Sequence, residues 1–303
     1  MPSVKKIAII DDFYSADFSV KTEKWKKYWG IDIEFEKKTI TELANLFSMT
    51  SDFKRIDPAN PDSNKNSTSL SVDGILWSAG LVDLPLEQMQ ILPKQFSQNI
   101  LHSQAFDFWY FDRHSAGPKW WPKSRFQKGI SILCTQNHGH LNVHKKVYLV
   151  GNHPLAWIGL VGLLEMGFSD INILGVSEDI CQKYFHHLQK SFFSVRFKSL
   201  KDNEITHMPS DGSLILNALP NTENGPLKTN LTFFNYLQSE SLVLDLFSNL
   251  ADSELLTEAK EVGHSIVQKS EVELVLDYEL LRIGFADKFK SVSFSEFRNK
   301  MIL

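Results

Sequence analysis

Apolar and polar positions along the chain alternate between two rhythms. Short apolar runs at residues 6–11, 31–35 and 72–77 have the length of strands, whereas 20–29 places Trp25 and Trp29 four apart, on one face of a helix closed by Gly30. The pattern also reads as helical over 40–47. From Lys146 the alternation is clearer: strands at 147–150, 171–174 and 195–200, with helices at 154–166 and 181–190. Further strands are predicted at 214–217, 242–246 and 265–267, with a helix over 253–262. Strands separated by helices belong to parallel sheets, so the second half predicts a Rossmann-like, doubly wound parallel sheet. The looser first half predicts a smaller α/β domain.

Two segments break the rhythm. Residues 57–67 are polar and rich in turn formers, which predicts a mobile surface loop. Residues 106–126 are dense in aromatics, among them Phe106, Phe108, Trp109, Tyr110, Phe111, Trp120 and Trp121. That much aromatic area seeks a surface to cover. It packs on the first domain or faces a ligand or partner; Lys119, Lys123 and Arg125 beside the tryptophans give nucleic acid a weaker claim.

At 303 residues the chain is long enough for two domains, each with a core of its own. The 36 acidic and 32 basic residues give a net charge of -4, with no basic field to gather nucleic acid or anionic lipid. The longest apolar stretch, 147–168, is interrupted by Asn152, His153 and Pro154, which argues against a membrane span and for a strand, a tight turn and a buried helix. The start of the chain runs straight into a strand without a signal peptide, so Cys134 and Cys181 read as reduced thiols of a cytoplasmic protein. On the same grounds Asn66 and Asn230, in Asn-x-Thr sequences, are expected to carry no sugar.

The turn after the strand at 147–150 is Gly151-Asn152-His153-Pro154-Leu155-Ala156. In a dinucleotide fold this turn brings a pyrophosphate onto bare backbone N–H groups at a helix N-terminus. Gly151 suits the tight turn and Ala156 suits close helix packing, but His153 stands at the middle glycine position. Pro154 removes one donor. After the next strand, Gly175 leads to Glu178 and Asp179, which suit a ribose 2′-hydroxyl and repel a 2′-phosphate. A dinucleotide, if one binds, is therefore NAD rather than NADP. The alternatives are an inherited strand-to-helix turn and two exposed acids opening a helix. His138, His140 and His144 lack an adjoining Cys or carboxylate, and no metal is assigned to them.

Several of these pieces fall in register with one family. Gly167-Phe168-Ser169-Asp170-Ile171-Asn172-Ile173, Leu216-Asn217-Ala218-Leu219 and Asp245-Leu246-Phe247-Ser248, followed by Leu255-Leu256-Thr257-Glu258-Ala259-Lys260 and Gly263, resemble passages of the shikimate dehydrogenases. Ser15-Ala16-Asp17-Phe18-Ser19-Val20 is similar to the serine motif with which that family holds its hydroxylated acid, with Asp17 in place of the central serine.

The resemblance implies a two-domain α/β protein: a substrate-type domain of residues 1–127 plus 271–303, and a Rossmann-like domain of 128–270. It implies ligand contacts from Ser15, Ser19 and Ser78, and cofactor contacts from Gly151, His153, Ala156, Gly175, Glu178 and Asn217.

The family's chemistry departs from this sequence. Its lysine falls within Leu76-Trp77-Ser78-Ala79-Gly80-Leu81-Val82, where no lysine stands, and its aspartate falls at Lys128. Its ligand asparagine and late glutamine resemble the sites of Asp107 and Asp277. Two functions follow. The first is a relative without the dehydrogenase chemistry, which takes a small ligand or a partner in a cleft between domains and uses no cofactor. The second is an NAD-dependent oxidoreductase of a small hydroxy or keto acid, with Lys128, Asp107 and Asp277 as a rearranged acid–base set. The oligomeric state is not fixed by the sequence.

Overall fold

The computed structural model describes residues 5–10, 13, 18–39, 42, 72–80, 96–112, 119–137, 141–219 and 226–302. The loop expected over 57–67, the helix expected over 40–47 except for Glu42, and Ser15 lie outside these residues. The chain divides into two compact units. One holds Met1–Ile100, Phe106–Lys123 and Leu281–Leu303, and the other Leu101–Ala105 and Ser124–Leu280.

In the first unit a five-stranded sheet runs in the order β2 (Ile33–Lys37), β1 (Lys5–Ile9), β3 (Gly74–Gly80), β4 (Ala105–Asp112), β5 (Lys119–Lys123). β1 pairs in parallel with β2 and β3, as the alternation predicts. The aromatic segment forms the antiparallel hairpin β4–β5, which periodicity alone did not indicate. Pro122 has no N–H for a ladder, and β5 accommodates it as the edge strand. Trp120 is buried on Phe111, 4.8 Å between ring centroids, and Phe106 packs on Trp77 and Trp109. Helix α1 (Phe18–Trp29) buries Trp25 and meets the C-terminal helices through Trp29, whose ring lies 5.5 Å from Phe289 and 5.3 Å from Phe297.

The second unit is built on a six-stranded, wholly parallel sheet. Its order is β11 (Ser265–Val267), β10 (Leu237–Asp245), β9 (Gly212–Asn217), β6 (Lys146–Val150), β7 (Asp170–Leu174), β8 (Arg196–Ser199). In chain order this is the 3-2-1-4-5-6 arrangement of doubly wound dinucleotide folds, with the reversal between β6 and β9. Every residue of β9 is buried, as are Val147 to Val150 of β6. A parallel strand is covered on both faces, so it reads as an unbroken apolar run.

After the short helix α2 (Gln98–Ser103), the unit's first long helix is α3 (Arg125–Asn137). It packs on α4 (Pro154–Glu165), whose residues Leu155 to Leu164 are all buried. A helix apolar on every side belongs inside a core, and this one accounts for the apolar stretch at 147–168. Among the described residues, no helix is long and apolar enough to cross a membrane.

The close approach of α3 and α4 depends on Gly162. A methyl group there would run into the Gln127 carbonyl oxygen and stand 2.5 Å from Ile130 Cγ2. Since a helix backbone cannot give way as a side chain does, Gly162→Ala is expected to lose about 1–3 kcal/mol through overpacking despite its better helix propensity. A urea midpoint equal to or above that of the wild type, with unchanged slope, would contradict this.

Candidate functional site

An open α/β sheet binds ligands outside the carboxyl ends of its strands, where the strand order reverses. Here that point lies between the ends of β6 and β9. The Gly151 N–H donates to the Leu174 carbonyl at 3.0 Å and the Ala218 N–H to the Val150 carbonyl at 2.8 Å, which ties the ends of three strands together. Gly151 has φ +88°, and a Cβ there would lie 2.9 Å from the Ala218 carbonyl oxygen, so the tight turn requires glycine.

His153 is the N-cap of α4. Its Nδ1 accepts the Leu155 N–H at 3.2 Å and its carbonyl accepts the Ala156 N–H at 2.9 Å, while Pro154 has no N–H at all. The donors at 154–156 are thus absent or already bonded within the turn. As acceptor, Nδ1 carries no hydrogen, so an uncharged ring holds its proton on Nε2. The imidazole nitrogen thus accepts one of the amides at the helix N-terminus, the kind of donor that binds an anion elsewhere. The first turn of α4 therefore does not present the open donors that a pyrophosphate takes up. Next to it the Asn152 side-chain oxygen accepts the Trp157 Nε1–H at 2.9 Å, and Trp157 stacks on Tyr184 at 4.0 Å.

On the other side of the turn, the end of β10 carries a buried polar network. Asp245 is 1% exposed. Its Oδ2 accepts Asn217 Nδ2 at 3.0 Å and the Ser253 hydroxyl at 3.4 Å, and its Oδ1 accepts the backbone N–H groups of Phe247 and Ser248 at 2.9 and 3.0 Å. Asn217 Oδ1 accepts the Leu219 N–H at 3.2 Å, so both ends of that carboxamide are engaged inside the protein. Ser253 in turn caps α7 (Glu254–Glu261) through the Leu256 N–H. The network fixes the loop after β10 so that the half-buried Phe247 ring meets His153 edge to face, 4.8 Å between centroids. A small cavity beside it is lined by Asn217, Lys228, Asp245 and Ser253 among others.

The remaining candidates are dispersed. Gly175 follows β7 and adjoins the Gly151 amide. Glu178 is exposed at the start of α5 (Glu178–Gln189), where its carboxylate accepts Gln182 Nε2 at 3.3 Å; Asp179 faces a shallow groove on α5 with Lys183 and His187. Lys128 is exposed on α3. Asp277 is fully buried on α8 (Lys269–Gly284). In the first unit, Asp107 is fully buried on β4, Ser78 is half-buried on β3, and Ser19 is exposed on α1.

His138 and His140 lie outside the described residues, among which no group of three or more His, Cys, Asp or Glu side chains is arranged for a metal. Ser191 Oγ lies 2.7 Å from His102 Nε2, but the Ser191 and Phe192 amides both turn back to the Leu188 carbonyl. Those two amides are therefore taken and do not supply an oxyanion hole beside the hydroxyl.

Phe247 and Ser253 were not singled out from the sequence. The usable signal was Asp245 at a strand end, since an Asp side chain commonly accepts the N–H groups two and three residues on.

Comparison with known proteins agrees with this fold. No protein-family model matches the chain. A shikimate dehydrogenase (NADP(+)) of Crocosphaera subtropica is 27% identical over 127 residues, which are 40% of this chain and 43% of that protein. The matched stretch thus spans less than half of that relative. Among solved structures, the quinate dehydrogenase of Corynebacterium glutamicum in complex with NAD superposes with a TM-score of 0.68 at 12% identity, covering 99% of each chain. The shikimate dehydrogenase of Aquifex aeolicus gives 0.66 at 13% identity, covering 98% of this chain and 97% of that one.

This chain has the shikimate dehydrogenase fold. The two-domain α/β architecture with a Rossmann-type parallel sheet is thereby shown. The Gly151 turn follows the first strand of that sheet, and it carries His153 and Pro154.

Burial pushes the Asp245 carboxyl above its ordinary range, against the pull of the Phe247 N–H, Asn217 and Ser248. The folded state then keeps this proton to a higher pH than the unfolded chain does. The stability so gained is complete below the unfolded value and is lost as pH rises from about 4 through the raised value. Asp245→Asn, which cannot titrate, is expected to remove that slope and to cost about 1–3 kcal/mol through a mispaired buried group. Urea midpoints of both proteins across this pH window provide the check, and a pH-independent difference would refute the assignment.

Proposed function

We propose that this protein is a shikimate-dehydrogenase-like binding protein that has lost hydride transfer, and that it takes a small ligand or a partner without a nicotinamide cofactor. One observation carries this reading: the His153 imidazole already holds the Leu155 N–H, in a turn where Pro154 offers none. Two features of the chemistry support it. No lysine stands in the stretch from Leu76 to Val82, and Lys128, which replaces the family's aspartate, is exposed.

Ser15, Ser19 and Ser78 are the polar groups we assign to the ligand, which suits a hydroxylated small molecule. Two free, buried thiols, Cys134 and Cys181, fit a protein of the reducing cytoplasm. Burial holds the Cys134 thiol at about 12, far from a reactive thiolate.

A second reading keeps an NAD-dependent oxidoreductase of a small hydroxy or keto acid. It is favoured by the intact strand order, by Gly151, and by a solved neighbour that binds NAD.

Titration of the wild-type protein with NADH and NADPH, followed by nicotinamide fluorescence, separates the two. The expected result is no saturation below about 1 mM, a ceiling of roughly -4 kcal/mol. No turnover is expected with shikimate, quinate or related acids. Saturable micromolar binding together with substrate-dependent nicotinamide oxidation or reduction would overturn the proposal in favour of the oxidoreductase.

A further inference from the structure

The geometry points to Phe247, seated by the Asp245 carboxylate, as the residue that keeps the dinucleotide turn shut: it fixes the His153 ring in the place of a phosphate. The inference rests on the reading above and names what enforces it. An N-capping imidazole alone is a weak closure. A side chain on a half-buried turn has other rotamers, and a single capping bond is weak. A tight anion outcompetes such a bond unless the ring is held from behind.

Here it is held. The Phe247 ring meets His153 edge to face at 4.8 Å, a geometry that aromatic pairs favour. Phe247 has little freedom to retreat, because its own N–H and that of Ser248 are both bound by Asp245 Oδ1. The same carboxylate is gripped from the neighbouring strand by Asn217 and from the start of α7 by Ser253. The closure is therefore a relay: buried carboxylate, fixed loop, phenyl ring, imidazole, Leu155 N–H. Phe247 is a positioning residue that acts through His153, and the ligand it excludes is a pyrophosphate-bridged dinucleotide.

Amide exchange at Leu155 reads the relay directly and needs no cofactor. Phe247→Leu keeps apolar volume and loses the ring. It is expected to speed exchange of the Leu155 amide about three- to tenfold, the range set by an aromatic pair, relative to amides of α7. Phe247→Tyr, which keeps the ring, should stay at the wild-type rate. His153→Ala should speed exchange as Phe247→Leu does, and the double variant should add nothing further, since both changes cut one path.

The second readout is NADH fluorescence. His153→Gly keeps a tolerated N-cap residue, so α4 should still form, and it is expected to bind NADH at least about tenfold more tightly than the wild type. Phe247→Leu should show a smaller gain. Equal exchange at Leu155 in Phe247→Leu and wild type would overturn the relay. So would a folded His153→Gly protein that binds NADH no better than the wild type. Tight NADH binding by the wild type would instead defeat the cofactor-free reading, and the exchange data would then stand separately.

Discussion

A single backbone turn sets the character of this molecule. Where β6 ends, the chain must reverse into α4 within hydrogen-bonding distance of two neighbouring strands, and only a residue without Cβ passes the Ala218 carbonyl there. That constraint falls on Gly151 and on nothing after it. The next positions are free to serve either a ligand or the helix itself, because a helix N-terminus needs acceptors and does not specify their source. In this chain the acceptor is a side chain two residues upstream of the amide it binds. The Leu155 and Ala156 amides of the helix are thus bonded by its own cap residue.

The contacts that hold the fold and the contacts that would hold a cofactor are carried by different atoms. The sheet rests on buried apolar runs within its central strands, such as Val147–Val150, Leu214–Leu216 and Leu242–Leu244, and the α3–α4 packing rests on glycine, Phe126 and Ile130. Asp245 and Asn217 sit at the carboxyl ends of their strands, and their polar atoms hold the loop after β10 and the cap of α7. Substitutions in the turn after Gly151 are therefore compatible with the architecture, which a chain 12–13% identical to solved dehydrogenases keeps along nearly its whole length. The retained fold accordingly carries little information about chemistry.

What the sequence made legible follows from the same division. The parallel strands were readable because burial on both faces leaves a run of apolar residues bounded by turn formers, and the order of elements then restricts the topology to few choices. The hairpin β4–β5 was hidden because Trp120, Trp121 and Pro122 carry no alternation, their placement being set by an edge position that only the folded sheet defines. α8 was hidden for the opposite reason. Glu273, Asp277 and Glu279 are buried in it, and acidic residues at inward positions erase the periodicity by which a helix is recognised.

Within the site, His153 was conspicuous because it stands where a glycine is expected, but its action was not. A histidine at that position could as well have turned outward. Its orientation is decided by Phe247, 94 residues later in the chain, and Phe247 is oriented by a carboxylate whose own partners come from two further elements. Each link is a local rule that a sequence displays: an Asp that binds the amides ahead of it, a serine that caps a helix, an aromatic ring beside another. Their convergence on one amide is a property of the strand order, which brings the ends of β6, β9 and β10 side by side. Motif comparison therefore registers the loss of a glycine, whereas the folded chain shows what took over that glycine's space and why it stays there.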